Sequence, residues 1–180
     1  MPSKRFWAKK NPELDNIETV EKTIFFSDKF RYKKFVHISS VSARCQLQTV
    51  YGKNKKISED IVMNNSNNLV IRLGPMYGNN LDKGVLIDML KSNTVYIDGS
   101  SKYSFTDIEW IGNWLIKNID KYTGIKEVGS KDFIKLQELA KKIGSKSNFE
   151  GEIDNQLIED YEKYDSKSNF VYKFLNDHKK

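Results

Sequence analysis

The sequence predicts an α/β protein in which parallel strands are covered by helices. Two short apolar runs, Phe35-Val36-His37-Ile38 and Leu69-Val70-Ile71-Arg72-Leu73, have the length and continuity of buried strands. Segments with apolar residues at helical spacing precede, separate and follow them. Helices alternating with buried strands point to a parallel sheet with both faces covered.

Asn11-Pro12 opens the first helical pattern, with Asn11 as N-cap and Pro12 at the first helical position. Leu14, Ile17, Val20 and Ile24 follow at spacings of three, three and four, which puts them on one face. The basic residues Lys29, Arg31, Lys33 and Lys34 lead into the first strand, which runs up to Ser39-Ser40. A helix is predicted over 51–64, with Ile57, Ile61 and Val62 as its apolar side. The polar loop Asn64-Asn65-Ser66-Asn67-Asn68 leads to the second strand, which Gly74-Pro75 stops. A helix follows over 84–91, then a third strand over 94–97, closed by Asp98-Gly99. Ile108, Ile111, Leu115 and Ile119 mark another helix, and Phe133, Leu136, Leu139, Ala140 and Ile143 the next. The remainder is polar, with a weak helix around 156–164.

Composition narrows the function classes. At 38% apolar and 30% charged, 180 residues suit one soluble domain rather than a disordered chain. No run approaches the ~18 consecutive apolar residues of a membrane span. The N-terminus has no apolar segment of the kind a secretory signal carries. The lone cysteine, Cys45, excludes an internal disulfide and suits a cytoplasmic location. A net charge of +6 raises the question of nucleic acid, but the lysines are interleaved with acids, as in Glu159-Asp160-Tyr161-Glu162-Lys163. Small basic clusters occur only at the ends, Lys4/Arg5/Lys9/Lys10 and His178/Lys179/Lys180, so the charge reads as solvated surface.

Five segments, in order, carry a resemblance. Phe35-Val36-His37-Ile38-Ser39-Ser40 is similar to a strand that ends in a catalytic Ser or Thr. Tyr51-Gly52-Lys53-Asn54-Lys55, followed by Ile57 and Glu59, is similar to a Tyr-x-x-x-Lys helix with a trailing acid. Arg72-Leu73-Gly74-Pro75-Met76-Tyr77-Gly78 is similar to an Arg-x-Gly-x-x-Tyr-Gly turn. Phe105-Thr106, ahead of a helix bearing Glu109, and the helix over 132–143 complete the set. Together they resemble the extended short-chain dehydrogenase/reductases, the NAD-dependent epimerase/dehydratase family, over residues 11–145.

The resemblance implies a Rossmann-like, doubly wound parallel sheet and an acid/base set of Tyr51, Lys55 and Ser40, with Ser39 as the alternative to Ser40. It implies NAD or NADP as cofactor, contacted by Tyr51, Lys55, Leu73, Gly74, Pro75 and Met76, and a nucleotide-sugar-like substrate. Residues i and i+4 share a helix face, so Tyr51 and Lys55 point together. A free phenol ionises at about pH 10, and a neighbouring ammonium is expected to lower that value. His37 and Trp7, Trp110 and Trp114 read as packing residues, Arg72 as an anchor at the strand end, and Glu59 as helix surface or an ion-pair partner.

The sequence also departs from the family. No Gly-x-x-Gly-x-x-Gly turn precedes Tyr51, and the first glycine is Gly52. The resemblance therefore implies the C-terminal part of the sheet, without the first strands and the glycine-rich loop. Tyr51 follows Ser40 by only eleven residues, Pro75 stands where many members carry Asn, and Lys102-Tyr103 replaces an Arg. The expected organisation is a basic segment over 1–10, a partial α/β domain over 11–150 and a polar, partly helical tail over 151–180. An apolar strand with one open edge implies a homo-oligomer or a complementary N-terminal half. A non-catalytic remnant that serves as a binding or scaffold module is the alternative function.

Overall fold

Polar side chains turn the first helical segment toward the rest of its unit. The computed structural model describes residues 5–30, 32–160 and 164–178. Lys4, Arg31, Lys179 and Lys180 of the basic stretches, and Tyr161–Lys163 of the expected late helix, lie outside the described residues. The chain is mixed α/β and divides into two compact units. The first runs to Leu73 and adds Ile116–Glu127; the second is Gly74–Leu115 with Val128–Lys180.

In the first unit, helix α1 (Arg5–Lys10) is followed by α2 (Pro12–Asn16), a π-helical turn (Ile17–Glu21) and α3 (Lys22–Lys29). Pro12 opens α2 as expected, but Asn11 makes no side-chain cap; its amide donates back to the Trp7 carbonyl at 3.0 Å. The expected apolar face is also corrected. Leu14, Ile17 and Ile24 are exposed, whereas Asp15, Thr19 and Thr23 are buried beside Val20. Their polar groups are matched: Thr23 Oγ1 and Ser58 Oγ both donate to the Thr19 carbonyl, and Asn54 Nδ2 donates to Asp15. Hydrogen bonding permits the polar face to be the buried one.

Strand β1 (Val36–Ser40) pairs in parallel with β2 (Leu69–Leu73), from Val36 opposite Leu69 to Ser40 opposite Leu73. Leu69, Val70 and Ile71 are wholly buried, as the continuous apolar run predicts. Between the strands lie the short α4 (Ser42–Cys45) and the long α5 (Val50–Met63). Thr49 caps α5, its hydroxyl accepting from the Gly52 N–H at 3.0 Å. A Cβ on Gly52 would overlap the Gln46 carbonyl, so glycine lets the start of α5 press against the chain leaving α4. Ile57, expected on the apolar side of α5, is exposed; the buried positions are Gly52, Asn54, Ser58, Glu59 and Val62.

The second unit contains strands β3 (Met76–Tyr77), β4 (Lys102–Tyr103) and β5 (Thr106–Asp107), with α6 (Val85–Leu90) between the first two. Helix α7 (Ile108–Asn118) leads out of it. Back in the first unit, β6 (Gly124–Val128) lies on the other side of β2, giving a three-stranded parallel sheet in the order β1-β2-β6. This third strand is not the one expected. Residues 94–97 form no strand, and Val95 makes a single bridge to Phe149. β6 escapes a hydrophobicity reading because Lys126 and Glu127 interrupt it. No strand among the described residues pairs with the outer edge of β1.

The second unit is completed by β7 (Ile134–Lys135), antiparallel to β4, then α8 (Leu136–Lys142) and α9 (Val171–Asp177). Its core gathers Leu86, Met89, Phe105, Leu136, Leu139, Val171 and Leu175. Residues 156–160 are not helical, since Gln156 bridges Tyr103. Trp110 and Trp114 pack edge-on against Tyr164, with Trp110 Nε1 donating to Asp165 at 2.8 Å. Among the described residues, no helix is long and apolar enough to cross a membrane, and no group of side chains could hold a metal ion.

Candidate functional site

Helical spacing sets Tyr51, Lys55 and Glu59 on one face of α5, one turn apart. The Lys55 ammonium lies 5.9 Å from the centre of the Tyr51 ring, within cation–π range. At the end of β1 the two serines diverge, because successive strand residues face opposite ways. The Ser40 hydroxyl bears on the Tyr51 phenol and acts to lower its value, and its Oγ accepts from the Ser42 N–H at 3.2 Å. Ser39 is buried and donates to Glu59 Oε1 at 2.6 Å. Of the two serines, Ser40 is the one joined to the tyrosine.

Tyr51, Lys55 and Ser40 are thus brought together. Leu73 sits across from Ser40 in the sheet, and its carbonyl accepts from the Val41 N–H at 3.0 Å. Gly74, Pro75 and Met76 continue the chain into the second unit. There the Pro75 carbonyl accepts from Thr106 at 2.9 Å and Met76 pairs with Thr106.

The electrostatics differ from expectation at the tyrosine. Burial pushes the Tyr51 phenol above its ordinary value; the Ser40 hydrogen bond opposes the rise and the Asp15 carboxylate adds to it. Desolvation therefore outweighs any help from Lys55. Burial pulls the Lys55 ammonium down, and first Asp15 and then Glu59 hold it up. Burial, then the Lys55 charge, brings His37 down to about 4, and its Nε2 is buried without a hydrogen-bond partner in the structure. A neutral imidazole in that setting is a packing residue, as its place in the strand suggests.

Sequence reasoning passed over Asp15. It is fully buried on α2 and accepts from Asn54 Nδ2 at 2.7 Å, within electrostatic reach of both Tyr51 and Lys55. Its spacing of four residues from Thr19, which is itself four from Thr23, was the available signal. Glu59 is a buried ion-pair partner, not helix surface. Arg72 grips it through Nη2 at 2.7 Å and Nε at 3.0 Å, and reaches Glu127 at 3.4 Å. Arg44 closes the network on Glu127 at 2.7 and 3.1 Å. Five segments, β1, α4, α5, β2 and β6, are tied by these side chains.

A cleft of about 480 Å³ between α2 and α5 is lined by Pro12, Asn16, Ile17, Lys53 and Asn54 among others, but by none of Tyr51, Lys55 and Ser40. It flanks the constellation and is not its mouth. The donor set at Tyr51, Lys55 and Ser40 suits the ribose and carbonyl end of a nicotinamide system. The pyrophosphate end has no comparable support. Gly52 is a packing glycine, and a Cβ on Gly74 would come within 3.3 Å of Ser104 O and Ile158.

No protein-family model matches the sequence, and no curated protein does. The fold, by contrast, is shared in part with solved UDP-sugar 4-epimerases and an NDP-hexosamine dehydratase. A UDP-N-acetylglucosamine 4-epimerase from Methanobrevibacter ruminantium superposes with a TM-score of 0.76 at 14% identity, over 97% of this chain and 71% of that one. A UDP-glucose 4-epimerase from Thermotoga maritima gives 0.70 at 15%, over 89% of this chain and 66% of that one. An NAD-dependent NDP-hexosamine 5,6-dehydratase of tunicamycin biosynthesis gives 0.72 at 13%, over 96% and 67%. At such identities the likeness is one of fold, and this chain spans about two thirds of the length of these structures.

Proposed function

We propose that Tyr51, Lys55 and Ser40 form the acid/base set of an NAD(P)-dependent sugar-nucleotide epimerase, dehydratase or reductase. The observation that carries this reading is the Lys55 ammonium 5.9 Å from the Tyr51 ring, one helical turn away, with the Ser40 hydroxyl at the end of β1 acting to lower the same phenol. In this role the Tyr51 hydroxyl moves a proton to or from a substrate oxygen, Ser40 orients that oxygen, and Lys55 supplies positive charge and a ribose contact. Leu73, Gly74, Pro75 and Met76 contribute backbone near the nicotinamide. The cofactor, when bound, supplies hydride transfer, and the protein orients it. The similar structures support a nucleotide-sugar substrate and NAD as the first cofactor to try. The lone Cys45 fits a cytoplasmic setting.

These 180 residues carry no glycine-rich phosphate cradle ahead of Tyr51. Alone, they are therefore expected to bind NAD(H) weakly, and a second copy or a complementary chain is expected to cover the outer edge of β1. Calorimetry tests the first statement: micromolar NAD(H) affinity would refute it. Sizing with light scattering tests the second, and a clean monomer at micromolar concentration counts against it. One other reading is a non-catalytic binding or scaffold module. Tyr51→Phe separates the two, because a scaffold keeps every measurable function after that change.

A further inference from the structure

The β1-β2-β6 sheet ends in two unlike edges. The Phe35 carbonyl accepts from the Leu69 N–H, and the Val41 N–H donates to the Leu73 carbonyl, so the odd-numbered residues of β1 turn their backbone groups toward β2. Alternation along the strand then points the N–H and C=O of Val36, Ile38 and Ser40 outward, where no strand among the described residues pairs with them. Such an edge is ordinarily blunted by a charge or a proline. Phe35 to Ser40 contain no proline and no ionised side chain at neutral pH, His37 being kept neutral by burial. Lys34, next along the chain, is tied back onto the Ile119 and Tyr122 carbonyls at 3.1 and 3.0 Å. β6, at the far edge, carries Lys126 and Glu127. The open strand is also apolar. Ile38 is 44% exposed, and the Phe35 ring packs at 5.3 Å on Tyr32, whose hydroxyl donates to Ser27 of α3 beside the exposed, stacked Phe26 and Phe30.

We propose that this edge is an interface with a second copy of the chain, in which β1 pairs antiparallel with its counterpart about a two-fold axis at Ile38. A two-fold axis brings identical edges together antiparallel. Within Val36–Ser40, only the register centred on Ile38 sets all three outward residues against outward partners. Ile38 then lies opposite Ile38 of the second copy, and Val36 lies opposite its Ser40. Each N–H and C=O on the edge gains a partner, and no like charges face each other within the strand pair. The two sheets become one whose outer edges are both the charged β6, so assembly stops at two copies. Past Ser40 the second copy runs beside Phe35, and the aromatic surface there enlarges the contact. The pairing rests on the expectation that the β1 edge is covered and commits that cover to a second copy; it makes no use of the acid/base reading.

Sizing with light scattering on the full 180-residue chain is expected to find a dimer at micromolar concentration. Ile38→Lys sets two ammonium groups side by side at the axis and is expected to weaken that dimer about tenfold or more. Ile125→Lys, at a comparably exposed isoleucine of β6, is expected to leave it intact. Oxidation of Ile38→Cys reads the register. Paired Cα atoms at the axis lie about 5.5 Å apart, within disulfide range, so a disulfide-linked dimer is expected. In Val36→Cys the two copies of position 36 lie about 13 Å apart along the strands, and no such link is expected. Peptide mass spectrometry separates these links from any through Cys45. Should Ile38→Lys lose its circular dichroism, the two cysteine variants carry the test. A monomeric wild-type chain, a dimer indifferent to Ile38→Lys, or equal disulfide yield at positions 36 and 38 would each overturn the pairing. None of these measurements needs cofactor or substrate, so a failed acid/base reading leaves their result standing, and the reverse also holds.

Discussion

Ser39 and Glu59, twenty residues apart, are joined by a buried 2.6 Å hydrogen bond that fixes the end of β1 to the middle of α5. The same carboxylate takes the Arg72 guanidinium, so one side chain locks two strands to the helix that carries Tyr51 and Lys55. The proposed acid/base pair and its support share a helix but not a role. Tyr51 and Lys55 face the end of the strand, and Glu59, one turn on, holds the strand in place.

Removing Glu59 leaves a guanidinium that is only 12% exposed with Glu127, at 3.4 Å, as its remaining carboxylate. Glu59→Ala is expected to cost about 3–5 kcal/mol, the range for breaking one side of a buried ion pair. Urea unfolding followed by circular dichroism measures it, and a loss under 1 kcal/mol would show that the pair is dispensable.

Ser40 and Ser39 should separate cleanly in a titration. Ser40 donates to the phenolate form of Tyr51, so Ser40→Ala is expected to raise the phenol further. Ser39→Ala leaves that bond intact and is expected to alter stability by about 1–3 kcal/mol instead. Ultraviolet difference titration against Tyr51→Phe isolates the one tyrosine among nine. A later ionisation in Ser39→Ala than in Ser40→Ala would reverse the assignment.

His37 makes the first unit acid-sensitive. Its folded value is brought from 6.5 down to about 4, so between those two pH values the unfolded chain binds a proton that the folded chain refuses. Stability is therefore full above pH 6.5, falls as the pH drops toward 4, and changes no further below that on this account, with up to about 3 kcal/mol at stake. His37→Gln is expected to flatten this window in urea midpoints measured from pH 4 to 7. An unchanged slope would remove His37 as its source.

Gly52 should tolerate no side chain although it lies inside a helix. Alanine normally strengthens a helix, but here its Cβ would overlap the Gln46 carbonyl. Gly52→Ala is expected to destabilise by about 1–3 kcal/mol, and Thr49→Ala, which removes the cap on the same turn, by about 1 kcal/mol. Thermal melts of the two single variants decide it, and a higher Tm for Gly52→Ala would contradict the packing argument.

The strands and helix that carry Tyr51, Lys55 and Ser40 were legible because their signals are local. Leu69–Leu73 matches its apolar run residue for residue, and α5 begins one residue before Tyr51. β6 was not legible, because a strand at the far side of a sheet can carry Lys126 and Glu127 when Glu127 has Arg44 and Arg72 to receive it. That pairing is between residues 83 and 55 positions apart, which no local window sees. Asp15 was hidden for the opposite reason. A hydrophobic periodicity was present at Leu14, Ile17 and Ile24, and it marked the outward face.

That inverted helix has a consequence for how the segment can change. A greasy interface can slide by a residue and re-form, since one leucine fits about as well as the next. The contact of α2 and the π-helical turn with α5 instead reads as a set of matched pairs, with Asp15 to Asn54 and the Thr19 carbonyl to Ser58. Deleting or inserting one residue between Asn16 and Glu21 would mispair all of them, at about 1–3 kcal/mol for each polar group left buried alone. Substitutions on the outward apolar side are cheap by comparison. Length is therefore what the packing constrains in this segment, and its outward face tolerates change.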